Sequence, residues 1–151
     1  GVAGNATEMY PEVWTQQSLT NEHVPLLFYS PGFLKPEKRE EVVSQIDILP
    51  TISGLAQISY TNTTLGRDLL DTSKKNDFAF ITSTTGTIGM VTDSFYFVRN
   101  INFPDEQLFT MRNDIKLTQE QSDSIKKALS AFTSAYFETA KYLIMNNKKA
   151  Q

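Results

Sequence analysis

A long amphipathic helix near the carboxy terminus constrains the fold of this chain more than any other feature. Thr118 and Gln121 have the spacing of a capping box, in which the threonine accepts a backbone N–H and the glutamine reaches back to the cap residue. Apolar residues then recur on one helical face over about five turns: Ile125, Leu129, Phe132, Tyr136, Ala140 and Leu143. This stripe either packs on another element of the chain or docks a partner.

A meander of strands is predicted directly before this helix. The runs at 78–82, 87–92 and 95–99 are rich in β-branched and aromatic residues and are separated by tight turns. A shorter run at 107–111 adds an edge strand. Side chains of the third run alternate between two faces, with Phe95, Phe97 and Arg99 on one face and Tyr96 and Val98 on the other.

A continuous apolar run lies near the amino terminus, in the segment "NEHVPLLFYSPG". Residues 24–29 show no alternation, which is typical of a strand that is buried on both faces of a sheet. Pro25 has no backbone N–H, so it fits only the first strand position or an edge. The pair Pro31-Gly32 ends the run. A second, shorter strand is predicted at 40–44.

A helix is predicted in "SQIDILPTISGLAQI", which covers residues 44–58. Its apolar residues recur at steps of three and four, as on one helical face: Ile46, Leu49, Ile52, Leu55 and Ala56. Pro50 is tolerated in a first turn, and Asp47 lies three residues earlier, where a carboxylate satisfies free N–H groups. Gly54 allows a neighbour to pack closely. The following "TLGRDLL" is predicted to be a turn that buries Leu65, Leu69 and Leu70.

Composition limits the class of protein. The chain has 151 residues, of which 40% are hydrophobic and 21% are charged, and this fits one soluble globular domain spanning 1–151. The net charge of −3 argues against a general nucleic-acid binder, which carries a basic face. No apolar run approaches the ~20 residues that cross a bilayer. With no cysteine and one histidine, the chain forms neither a disulfide nor a self-contained structural zinc site.

The single histidine, His23, is the first candidate functional residue. It precedes the predicted 24–29 strand, where it is either a ligand or general acid–base, or an ordinary polar residue at a strand boundary. Glu22 is its neighbour in sequence, but adjacent side chains on a strand point to opposite faces. Trp14 either stacks on a substrate or lies at a contact between domains, and the domain contact is favoured.

Other polar residues carry weaker functional patterns. Asp68 and Asp71 either bind a cation through their oxygens or cap a turn. Arg67 either holds an anion or forms a structural ion pair. The run 83–86, "STTG", suggests a phosphate cradle only faintly, because no Gly-x-x-x-x-Gly-Lys pattern is present. In each case the structural role is favoured over the binding role. The sequence contains no complete set of catalytic residues.

Three blocks of the sequence, taken together, resemble a known family. They are "HVPLLFYSPG", "VVSQIDILPTISGLA" and "LGRDLL". Their order and spacing are similar to the carboxy-terminal part of sulfatases, and most closely to the lipoteichoic-acid-synthase-like branch of the alkaline phosphatase superfamily. The segments "DSFYFVRN" and "EQLFTMRND" are similar to a strand pair near the end of such enzymes, so the resemblance covers roughly residues 1–114.

The resemblance implies the carboxy-terminal portion of an alkaline-phosphatase-like α/β fold, with a mixed sheet, a small antiparallel meander and a long carboxy-terminal helix. Such enzymes act on sulfate or phosphate esters with a divalent metal (Mn, Mg, Ca or Zn) and a nucleophile far upstream. This chain opens with "GVAGN", where the family's Asp-His-Gly would be finishing, so no catalytic residue, metal ligand or cofactor is assigned to it. His23 and Asn5 are the substrate-pocket candidates.

The resemblance also implies partners and a location. The partners are the remainder of the parent catalytic domain and a small sulfate or phosphate ester, and nucleic acid is not among them. The parent is expected in the periplasm or at the extracytoplasmic face of a bacterial membrane. This chain is expected to be soluble, inactive alone, and to self-associate through exposed apolar surface. The alternative is a free-standing, non-catalytic binding or structural domain.

Overall fold

The computed structural model describes residues 10–71, 73, 77–83 and 85–147 of the protein. These residues form a mixed α/β arrangement in which a four-stranded antiparallel sheet is followed by a long helix. In chain order the elements are α1 (Glu12–Gln16), α2 (Leu19–Glu22), a 3₁₀ turn (Gln45–Asp47), α3 (Ile48–Leu55), β1 (Phe78–Thr82), β2 (Thr87–Thr92), β3 (Phe95–Asn100), β4 (Glu106–Thr110) and α4 (Gln119–Asn146).

The sheet is the predicted meander, with strand order β1-β2-β3-β4 and antiparallel pairing throughout. Thr92 closes the β2–β3 turn, because its hydroxyl accepts the N–H of Phe95 at 2.9 Å and donates to the carbonyl of the same residue at 3.1 Å. The β1–β2 turn contains Gly86 at φ 77°, a conformation that glycine adopts without strain. Short-range turn chemistry therefore sets the register of the sheet.

Helix α4 covers one face of the sheet. It begins at the predicted capping box, where the Gln121 N–H donates to the Thr118 hydroxyl at 3.2 Å and the Thr118 N–H donates to the Gln121 side chain at 2.9 Å. The ring of Phe80 on β1 stacks on Tyr136 at 4.9 Å between centroids. Beneath the helix, Met90 and Phe97 are fully buried. The apolar stripe of α4 thus packs on the meander of its own chain.

Helices α1 and α2 contribute to a second core on the opposite face. Leu19 on α2 is buried with Val91, Tyr96 and Met111 of the sheet region. Trp14 on α1 packs against the same cluster, so its side chain makes a contact within the chain itself. The alternation predicted for β3 holds, since Arg99 bonds to Ser134 on α4 while Tyr96 joins the α2 side. The sheet is therefore the middle of three layers.

The strand predicted at 24–29 is wrong. These residues form no strand, and most of their large side chains are exposed, with Leu27 83% accessible. Within the described ranges, no backbone hydrogen bond joins 24–29 to a neighbouring strand. A strand requires a partner to satisfy its N–H and C=O groups, so the apolar run alone does not form one. The strand predicted at 40–44 is absent for the same reason.

The helix predicted within 44–58 is confirmed, but its predicted inward face is wrong. Pro50 lies in the first turn of α3, as expected. The residues that α3 buries are Pro50, Thr51 and Ser53, whereas the apolar residues Ile46, Leu49 and Ile52 are exposed. Leu70, predicted to be buried, is exposed as well. The polar hydrogen bonds described below orient α3 and turn its apolar side outward.

Across the part of the chain that the structure describes, helices fall short of the combined length and apolar character that a membrane span requires.

Candidate functional site

His23, the sequence-predicted pocket residue, lies at the carboxy-terminal end of α2 rather than at the start of a strand. Its backbone N–H donates to the carbonyl of Leu19 at 3.0 Å and closes the last turn of that helix. The imidazole is exposed to solvent and packs edge-on against Trp14, with 5.1 Å between ring centroids. The expected strand boundary is therefore replaced by a helix end on an aromatic surface.

Tyr10 completes this aromatic cluster. Its ring stacks on Trp14 at 5.2 Å between centroids, and its hydroxyl lies 3.4 Å from Nδ1 of His23. Among the described residues, no carboxylate contacts the imidazole. The imidazole of His23 therefore has one ring nitrogen without a hydrogen-bond partner among the described residues. It lacks the carboxylate that orients the histidine of a catalytic triad for general-base catalysis.

Asn5, the second pocket candidate, lies outside the described residues. Tyr10 is the neighbour of His23 that sequence reasoning did not single out. Tyr10 and His23 are thirteen residues apart and meet only because α1 and α2 fold back on each other. No local spacing rule signals that contact.

A buried carboxylate, Asp47, joins two of the blocks that carry the family resemblance. Its side chain is 2% exposed and accepts the backbone N–H of Ser44 at 2.9 Å, which completes a capping box. It also accepts the backbone N–H of Arg67 at 2.8 Å and the Arg67 guanidinium at 3.2 Å. These donors occupy both carboxylate oxygens, so Asp47 serves the fold.

Thr51 adds a second link between the same segments. Its hydroxyl donates to the carbonyl of Asp47 at 2.7 Å and accepts the N–H of Leu69 at 3.0 Å. Gly54 lies against the Asp68 carboxylate so closely that a Cβ would collide with it. The close packing predicted for Gly54 is thus confirmed. We call the group of Asp47, Thr51 and Arg67 the polar clamp.

Arg67 forms the structural ion pair that was favoured over anion binding. Besides Asp47, it donates to the carbonyl of Phe78 at 3.3 Å, and its guanidinium lies 4.9 Å from the centre of the Phe78 ring. The cation is thereby held between α3 and the first strand of the sheet. A cation over an aromatic face adds attraction beyond the ion pair itself.

The residues that were weaker candidates for binding a cation or a phosphate have structural roles. Asp68 accepts the N–H of Leu70 at 2.9 Å, and Asp71 accepts the N–H of Ser73 at 3.0 Å, so both cap turns as predicted. Ser83 lies 2.6 Å from Thr85 by hydroxyl–hydroxyl contact, while Thr84 lies outside the described residues. Throughout the described ranges, no three histidine, aspartate or glutamate side chains are grouped to hold a metal ion.

The most unusual feature of the described residues is the apolar surface that they expose to solvent. Residues 24–33, which we call the uncovered segment, expose Leu27, Tyr29 and Phe33, the last of these 90% accessible. Ile46, Leu49 and Ile52 add exposed apolar area on the outer side of α3. Soluble monomers expose single apolar residues routinely, but runs of this kind usually mark an interaction surface.

No protein-family model, curated protein or solved structure matches this chain. The functional interpretation therefore stands on the residues and contacts described above, together with the resemblance of the three sequence blocks.

Proposed function

We propose that this chain is the carboxy-terminal portion of a metal-dependent hydrolase or phosphoglycerol-type transferase similar to sulfatases, with an alkaline-phosphatase-like fold. The parent enzyme would act on small sulfate or phosphate esters. In this proposal the nucleophile and metal ligands belong to the remainder of the parent, and the present chain alone is inactive. The parent would work in the periplasm or at the extracytoplasmic face of a bacterial membrane.

The observation that carries the proposal is the uncovered segment. Residues 24–29 have the composition of a strand that is buried on both faces, yet the side chains of Leu27 and Tyr29 face solvent. Their exposure is costly, because each buried large apolar side chain contributes about 1.5–3 kcal/mol. A sheet supplied by the remainder of the parent domain would satisfy both the side chains and the backbone groups of this run.

The polar clamp gives further support. Asp47, Thr51 and Arg67 come from the second and third blocks of the resemblance, and they are the residues that tie those blocks together. Within the proposed enzyme this clamp fixes the position of α3 and of the 65–70 turn. The clamp would thereby hold the segment after His23 in a fixed position relative to the sheet.

The divalent cation implied by the resemblance does not fit the described residues, since they contain no group of three candidate ligands. A divalent cation in the proposed parent would supply electrostatic stabilisation of the ester, held by ligands outside this chain. The contribution of this chain is a wall of the pocket near His23, with Asn5 as its second candidate. The exposed ring of His23 on Tyr10 and Trp14 suits a substrate-facing rim.

The coding sequence upstream of Gly1 tests the proposal directly. We expect an open frame in which Asp-His-Gly or Asp-Asn-Gly ends at or just before "GVAGN", with a threonine, serine or cysteine nucleophile far upstream. A natural start codon immediately before Val2, with no larger frame, would contradict the proposal. That result would favour the alternative of a free-standing binding or structural domain, in which the uncovered segment docks a partner.

A further inference from the structure

A small cavity lies between the α1–α2 turn and the sheet, on the face opposite α4. Its volume is about 260 Å³. Apolar groups from three elements line it: Leu19 on α2, Ile81 on β1 and Val98 on β3. Ligand sites are typically concave and mostly apolar with a few polar groups that fix orientation, and the remaining lining residues supply such groups.

Tyr96 places a polar atom in this cavity. The residue is 6% exposed, and among the described residues its hydroxyl has no hydrogen-bond partner. The hydroxyl itself is not fully buried, so a ligand in the cavity can reach it. The ring lies beside Gly89, where a Cβ would come within 2.9 Å of Cε2. The missing side chain of Gly89 thus leaves room for the Tyr96 ring.

The charge of the cavity is negative. Glu22, at the end of α2, is the charged residue of its lining, and the described lining residues include no lysine or arginine. Gln17, Ser83 and Thr87 add neutral polar groups at the rim. Burial raises the pKa of Tyr96, and the negative charge of Glu22 raises it further, so the hydroxyl keeps its proton at neutral pH.

We propose that this cavity binds a small primary amine with an apolar body, such as an alkyl or aralkyl amine. The apolar body would lie against Ile81 and Val98, beside the Tyr96 ring, with the ammonium group towards Glu22 and the Tyr96 hydroxyl. A sulfate or phosphate ester is disfavoured there, because the described lining offers it a carboxylate and no cation. This site is therefore separate from the ester pocket proposed above and does not depend on it.

Titration of the ¹⁵N-labelled chain with benzylamine, benzyl alcohol and benzoate tests the site. We expect benzylamine to cause saturable shifts of the Gly89 and Val98 amide signals, benzyl alcohol to bind more weakly, and benzoate to cause no shift. Glu22→Gln should lower benzylamine affinity about two- to five-fold, which is within the range of an exposed ion pair. Glu12→Gln removes an exposed carboxylate outside the cavity lining and should leave affinity unchanged.

A second variant separates occupancy of the cavity from general charge attraction. Gly89→Ala puts a methyl group against the Tyr96 ring and should abolish the benzylamine shifts while Glu22 remains in place. Equal binding of benzoate and benzylamine, an unchanged affinity in Glu22→Gln, or the absence of shifts at Gly89 and Val98 with every probe would each overturn the proposal.

Discussion

Asp47 accepts the backbone N–H of Arg67 at 2.8 Å and pairs with its guanidinium at 3.2 Å, although the two residues are twenty positions apart. The carboxylate is almost fully buried and satisfies donors on both of its oxygens. This relationship anchors α3 to the 65–70 turn and fixes which side of α3 points inward. It also explains why the apolar side of that helix is exposed.

Asp47→Asn should destabilise the chain strongly. The asparagine side chain has one oxygen, so it cannot accept hydrogen bonds where both Asp47 oxygens do. Arg67 is left with an uncharged, weaker partner, and the asparagine NH₂ group is buried against a donor. Breaking a buried ion pair costs about 3–5 kcal/mol, and we expect a loss towards the upper half of that range. The free energy of unfolding from urea titration measures it. Asp123→Asn, at an exposed helix position, is the matched control and should change stability by less than about 0.5 kcal/mol.

Gly66→Ala should destabilise far more than Gly32→Ala. A Cβ on Gly66 would collide with the backbone carbonyl of Ile46, which cannot move aside as a flexible side chain does. Gly32 has open space around its Cα, and its φ is not in the left-handed region. We expect a loss of about 1–3 kcal/mol for the first variant and little change for the second. Similar urea midpoints for the two variants would show that the 65–70 turn is not packed on the 3₁₀ turn.

Stability should fall in alkaline solution because of the half-buried Tyr136. Burial raises the pKa of Tyr136, and the charge of Asp47 adds to the increase. A phenol that ionises later in the folded state contributes stability that is fully present below the unfolded-state pKa of about 10 and is lost as pH rises through the folded-state value. Tyr136→Phe removes this contribution. The urea midpoint of this variant should therefore decline less steeply above pH 10 than that of the unsubstituted chain. Parallel declines would contradict the assignment.

The uncovered segment should drive self-association. Leu27 and Phe33 are exposed by 83% and 90%, and burying them between copies would remove apolar surface from water. We expect the elution volume in size-exclusion chromatography to decrease as protein concentration rises. The double variant Leu27→Asp with Phe33→Asp should elute as a monomer across the same range.

Ile144 and Met145, exposed by 79% and 82% near the end of α4, provide the matched control for that experiment. Changing both to aspartate removes apolar area and adds charge to a similar extent as the Leu27 and Phe33 double variant. The two positions lie outside the uncovered segment. This variant should associate as the original chain does. If it becomes monomeric instead, the association surface lies on α4.

Local signals predicted the meander and α4 well. The Thr118–Gln121 capping box and the 3.6-residue stripe are properties of neighbouring residues, and the packing of Phe80 on Tyr136 follows from them. The same local reasoning could not supply neighbours for residues 24–29. A strand is defined by its partners, and residues 24–29 pair with no strand of the described chain although their composition indicated burial.

Contacts between distant segments were beyond sequence reasoning. Periodicity located α3 but not its inward side, because that side depends on Thr51 receiving the N–H of Leu69 eighteen residues away. The pairing of His23 with Tyr10 and the cavity at Tyr96 likewise arise from tertiary packing. In each case polar groups or ring contacts between separate elements decide the geometry, and a one-dimensional pattern does not record them.

The central claim is that this chain supplies scaffold and a pocket wall but not the reaction centre. Its most direct test is the hydrolysis of 4-nitrophenyl sulfate and bis(4-nitrophenyl) phosphate by the purified chain, with Mn²⁺, Mg²⁺, Ca²⁺ or Zn²⁺ added in turn. We predict no release of nitrophenol above the metal-only background under any of these conditions. Saturable turnover that requires one of the metals and disappears on chelation would contradict the claim.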